Sequence, residues 1–129
     1  MKRATSRKAA RRQALYLLYQ WDLTGQELAS LYEGEPDEFA RSLADAVSQR
    51  AEALDVRITA ASPDWPADRL GTLERNILRI GVYELEEETV PREVAINEAV
   101  VLAKRYASEE AARLVNGILA RVAREEEAA

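Results

Sequence analysis

The sequence has 129 residues, 47% hydrophobic and 32% charged, with a net charge of −5 and neither histidine nor cysteine. That length and composition fit one globular domain, 1–129, with no run approaching the ~18–20 apolar residues of a membrane span. Without cysteine or histidine, disulfides, thiol nucleophiles, imidazole bases and nearly every zinc site are excluded, and the scattered glycines build no phosphate loop, so no catalytic, metal or cofactor site is expected.

The charge is unevenly placed. The first twelve residues hold six cations, Lys2, Arg3, Arg7, Lys8, Arg11 and Arg12, and no acid; the remainder carries 12 basic and 23 acidic groups, a balance of −11. Solubility alone does not ask for such separation, so the head is expected to hold an anion: RNA, DNA or acidic membrane. No apolar stretch follows it, which argues against a secretory signal and makes the cytoplasm the expected location.

In chain order, Thr5 or Ser6 is placed to cap a first helix reaching about Leu23 and stopped by Gly25. Ala10, Ala14, Leu17, Leu18 and Trp21 share one face at 100° per residue. Arg7, Lys8, Arg11 and Arg12 take the neighbouring arc, with Tyr19 close to Lys8 and Arg12. A short helix is expected over 27–32. A long one opens at Pro36 and runs through Phe39, Leu43, Ala46 or Val47, Ala53 or Leu54, and Ile58. Residues 62–66 break it, and Trp65-Pro66 begins a turn leading to a helix over 72–87. That helix is apolar on two sides, which marks a central position. Pro91 starts a helix through Val94, Ile96, Ala99, Leu102 and Tyr106. Ser108 caps a last one with Ala111, Leu114, Val115, Ile118 and Val122 on a regular stripe. No stretch alternates long enough for a strand, so the fold class is all-α, a compact helical bundle.

Four blocks in order, Ala14 to Leu23, Leu73 to Leu85, Val90 to Ala99 and Leu114 to Leu119, resemble the NusB family of bacterial transcription antitermination factors. The resemblance covers nearly the whole chain. It implies about seven helices in two packed halves, RNA binding through the basic first helix, and action with the ribosomal protein that doubles as NusE. Together the two hold a boxA-type single-stranded RNA in ribosomal RNA leaders, within the RNA polymerase antitermination complex. Monomer and homodimer both stay open for the free protein. The same module resembles the N-terminal domain of certain rRNA cytosine methyltransferases, but this sequence lacks the cysteine they need. A helical protein-interaction module is the alternative from another class.

Candidate RNA-binding residues are then Lys2, Arg3, Arg7, Lys8, Arg11, Arg12 and Tyr19, with Tyr16 beside it; both tyrosines would stack on unpaired bases or be partly buried against a neighbouring helix. Asn116, Gly117 and Arg121 join them, with Arg113 and Arg124 on the same side. Glycine within a helix costs about 1 kcal/mol relative to alanine, so Gly117 is expected to permit close approach, either of another helix or of RNA backbone. Ala120 stands where the family commonly has Asp, and an RNA contact by that acid does not carry over. Arg75, Arg79, Tyr83 and Glu86 form a polar strip, read as a protein-partner surface, with intramolecular acids as the alternative. Glu74 and Glu84 fall in apolar sectors of the same helix, salt-bridged inside the fold or at a contact edge. The consecutive acids near Glu86 and Glu126 point apart and are read as solvated surface.

Overall fold

Ser6 opens the first helix: its Oγ accepts a hydrogen bond from the Ala9 N–H at 3.1 Å. The computed structural model describes residues 6–128. Helix α1 spans Arg7–Thr24 and ends at Gly25, whose left-handed φ of 74° lets its N–H reach the Trp21 carbonyl. A 3-10 turn, Leu28–Leu31, takes the place of the helix expected over 27–32.

Helix α2, Glu38–Gln49, starts later than Pro36, because the Asp37 carboxylate caps it by accepting from the Ala40 N–H at 3.0 Å. The expected long helix is two helices. It breaks at Arg50 (φ −106°, ψ 10°), and α3 runs Ala51–Ala61. No proline or glycine marks the break. Its cause is tertiary: α2 packs mainly on α1, while α3 packs on α4 and α6, and one straight rod cannot do both. A second 3-10 turn, Ala67–Arg69, precedes α4, Thr72–Glu87.

Helix α4 packs against all five other α-helices, as its two apolar sides require. The most extensive pairings, α5 with α6 and α1 with α2, both lean on it and form the two halves of the bundle. Its Gly81 lies against α6 so closely that a Cβ there would sit 2.6 Å from Leu119 Cδ1. Helix α5, Arg92–Tyr106, buries Ala95, Ala99, Leu102 and Ala103. The expected face was centred on larger residues; instead the small alanines turn inward and allow close packing on α4 and α6, leaving Val94 and Tyr106 38% and 44% exposed. Ser108 Oγ accepts from the Ala111 N–H at 2.9 Å and caps α6, Glu109–Ala128, whose expected stripe is buried apart from the half-buried Leu114. The described residues thus form six α-helices and two 3-10 turns with no strand. No helix among them is long and apolar enough to cross a membrane.

Candidate nucleic-acid interface

Two groups of predicted site residues are internal. Arg11 does not join the solvent arc of α1: it is 4% exposed, and its Nε and Nη2 donate to both carboxylate oxygens of Glu84 at 2.9–3.2 Å. Glu84 is 2% exposed, so each charge is buried only because the other is present. Helical geometry puts Arg11 between Arg7 and Lys8 on the arc, yet the crossing of α1 over α4 covers that position.

The polar strip of α4 is likewise occupied within the fold, which corrects its reading as a partner surface. Arg79 Nε and Nη2 donate to the two Asp55 oxygens at 2.7 and 2.6 Å, a fork-to-fork pair. Its Nη1 reaches Asp22 Oδ2 at 3.1 Å and Asn76 Oδ1 at 3.0 Å. Arg75 donates to the same Asp22 oxygen at 2.8 and 3.0 Å and to the carbonyls of Ala67 and Leu70. Asp22 thereby relieves the i, i+4 repulsion of the two arginines and ties α1 to α4. Burial pushes its carboxyl up, but hydrogen bonds from Arg75 and Asn76 and the charge of Arg79 outweigh this and hold it below the ordinary value of 3.8. Tyr83 lies under the Arg50 guanidinium, 5.5 Å from ring centre to Cζ, and Glu86 accepts from Arg57 at 2.8 Å.

Of the cations that remain at the surface, Lys8 and Arg12 share one side of α1, one turn apart, and Arg7 lies across the buried Arg11, towards α2. Arg7 is exposed and stacks over the Phe39 ring at 4.0 Å. Lys8 is exposed, its Nζ 4.0 Å from Glu98 Oε1, a separation that contributes little. Arg12 is half-buried and makes no ion pair among the described residues. Lys2 and Arg3 lie outside the described residues, as does Thr5.

Arg12 leads into a cleft of about 330 Å³ lined by Leu15, Tyr16 and Tyr19 of α1, Leu73 of α4 and Tyr106 of α5. Tyr16 is 57% exposed and accepts from Gln20 Nε2 at 3.3 Å, whereas Tyr19 is half-buried. The sequence places Tyr106 only as the last of the apolar positions along its helix. The signal for its real place was its position directly after Lys104 and Arg105, an aromatic beside cations; the Arg105 guanidinium lies 5.5 Å from its ring. Three phenol rings and a guanidinium lining one cleft suit flat, unpaired bases with phosphates alongside.

On α6, Asn116, Gly117 and Arg121 are all exposed, as are Arg113 and Arg124. Nothing lies within 4 Å of a Cβ built on Gly117, so no helix uses its small size; Gly81 is the glycine that serves helix contact. Arg121 is held only loosely, 4.0 Å from Glu125.

The family model described as the NusB family matches residues 8–124. The transcription antitermination protein NusB of Rubrobacter xylanophilus is 41% identical over 121 residues, 88% of this chain and 87% of that one. NusB of T. maritima superposes with a TM-score of 0.84 at 32% identity, over 95% and 94% of the two chains. A chain in a crystal structure of antitermination factors NusB and NusE in complex with dsRNA gives 0.80 at 32% identity, over 92% of this chain and 96% of that one. The chain belongs to the NusB family.

Proposed function

We infer that this chain is a transcription antitermination factor, one NusB-like domain that binds RNA and works with the NusE ribosomal protein on a boxA-like leader sequence in the cytoplasm. The reading is non-enzymatic: the relatives carry the name of antitermination factors, and histidine and cysteine are both missing from the sequence. The observation that carries it is the cleft lined by Arg12, Tyr16, Tyr19 and Tyr106, with Lys8 one turn before Arg12 on the same side of α1. RNA contacts are assigned to Lys2, Arg3, Arg7, Lys8, Arg12 and Tyr19, with Asn116, Gly117 and Arg121 as a second group on α6; Arg11 leaves the set because Glu84 holds it.

Binding of a boxA-like leader RNA tests the reading, measured by fluorescence anisotropy with and without the NusE protein and against an unrelated RNA of equal length. The leader should bind more tightly than the control, and more tightly still to the heterodimer. A duplex of the same sequence is the third arm: stacking in the cleft favours the single strand, although a family relative crystallised with NusE and dsRNA. Equal affinity for leader and control, unaffected by NusE, leaves the helical interaction module as the better description.

A further inference from the structure

Helices α1 and α5 both pack on α4 but not extensively on each other. Their side chains face across the gap at two points. At one, Arg12 of α1 and Tyr106 of α5 line the tyrosine cleft. At the other, one turn earlier on α1, Lys8 Nζ lies 4.0 Å from Glu98 Oε1. Glu98 precedes Tyr106 on α5 by about 12 Å along the helix axis.

Glu98 is an unusual carboxylate. Its side chain is only 13% exposed, yet it accepts no hydrogen bond among the described residues, and Lys8 at that distance is its one ionic neighbour there. A carboxylate taken so far out of water normally gains hydrogen bonds in exchange. Among the described residues no buried side-chain oxygen lacks a partner, so the oxygens of Glu98 are not closed off from solvent. Its stem is covered while its carboxylate reaches the surface, an acceptor set beside an exposed cation.

The neighbouring cation says which donor fits. In the RNA-binding reading Lys8 holds a phosphate, and the donor nearest a phosphate along an RNA strand is the ribose 2′-hydroxyl. Base amino groups lie further from the backbone, on the side where the tyrosine rings stand. Resting on that reading, we propose that Glu98 accepts a hydrogen bond from a ribose 2′-hydroxyl whose adjoining phosphate is held by Lys8, and that it thereby makes this face select RNA over DNA. Lys8 offsets the charge of Glu98, so the acid does not repel the strand it reads. A deoxyribose leaves the same carboxylate without a donor.

The test measures, by fluorescence anisotropy, binding of the leader RNA and of a single-stranded DNA of the same base sequence, with deoxyuridine for uridine, to the wild-type chain, Glu98→Gln and Glu98→Ala. The wild type should prefer the RNA. Glu98→Ala should lower the ratio of RNA to DNA affinity by roughly tenfold or more, the span of a lost hydrogen bond to a charged group. Glu98→Gln should fall between them, because its amide oxygen still accepts. The slope of log K against log salt should stay the same, since Lys8 still meets its phosphate. In a set of leader RNAs that each carry one 2′-deoxy nucleotide, one position should weaken binding to the wild type and cost nothing in Glu98→Ala.

Equal changes in RNA and DNA affinity overturn the proposal: with a flatter salt slope they make Glu98 a residue that only positions Lys8, and with the same slope a reader of a base amino group. A wild type that binds the DNA as tightly as the RNA, or that is indifferent to every 2′-deoxy substitution, overturns it without recourse to the variants. If the wild type still prefers the leader to an unrelated RNA of equal length, only this assignment fails; if it does not, the RNA reading fails with it.

Discussion

Arg11 of α1 and Glu84 of α4, 73 positions apart, close on each other through three hydrogen bonds of 2.9–3.2 Å with almost no exposure to water. The pair makes one member of the basic head a structural residue. Arg11→Ala should cost about 3–5 kcal/mol, because it strands a buried carboxylate. The double change Arg11→Met with Glu84→Leu should recover most of that loss, since two apolar groups of similar volume need no partner. Urea unfolding of the three variants checks this, and a double variant as unstable as the single one would show that the pair itself carries the stability. RNA affinity per folded molecule should be the same in Arg11→Ala as in the wild type.

Asp22 gives a pH signature. Its carboxyl ionises below the ordinary 3.8 in the folded chain, so the stability from the ionised form is fully present above that value and is lost as pH falls through the lowered one. Denaturant unfolding between pH 2 and 7 should show a decline setting in below about pH 4 that is shallower in Asp22→Asn, itself less stable at pH 7. A parallel decline in both proteins would assign the acid sensitivity elsewhere. In the same network Arg79→Ala should lose about 1–3 kcal/mol, because Asp55 loses its fork-to-fork partner while Asp22 keeps Arg75 and Asn76. Loss of NusE binding in such a variant reports unfolding before it reports an interface.

The tyrosine cleft separates stacking from packing. Tyr16→Ala and Tyr106→Ala remove rings that are about half exposed and should leave the melting temperature nearly unchanged while weakening RNA binding by about 1–3 kcal/mol each. Tyr19→Ala should lose both affinity and stability, because that ring is half-buried. The phenylalanine variants should bind close to wild type. If all three alanine variants bind RNA normally once the folded fraction is allowed for, the cleft is not where bases sit.

Much of the fold was legible because local chemistry writes it. Ser6, Gly25 and Ser108 mark helix ends through their own side chain or backbone, and the bounds of α4 follow from its two apolar faces and the proline beyond it. The break at Arg50 and the rotation of α5 were not legible, because partner helices decide them: α3 turns to reach α4 and α6, and α5 presents alanines where a close neighbour wants small side chains. The site divides in the same way. The charge of the head and the aromatics of α1 were plain in the sequence. Which cations stay free was not, since Arg11 depends on Glu84, and Arg75 and Arg79 on Asp22 and Asp55, acids that meet them only in three dimensions.

The salt dependence of RNA binding by the triple variant Arg7→Ala, Lys8→Ala, Arg12→Ala tests the central claim most directly, because these are the described cations of α1 that are not buried. Each phosphate contact to a single strand contributes about 0.7 to the slope of log K against log salt, so the variant should bind more weakly with a slope flatter by up to about 2 units and an unchanged melting temperature. Weakened binding at an unchanged slope, or an unchanged affinity, would contradict an electrostatic RNA interface on α1.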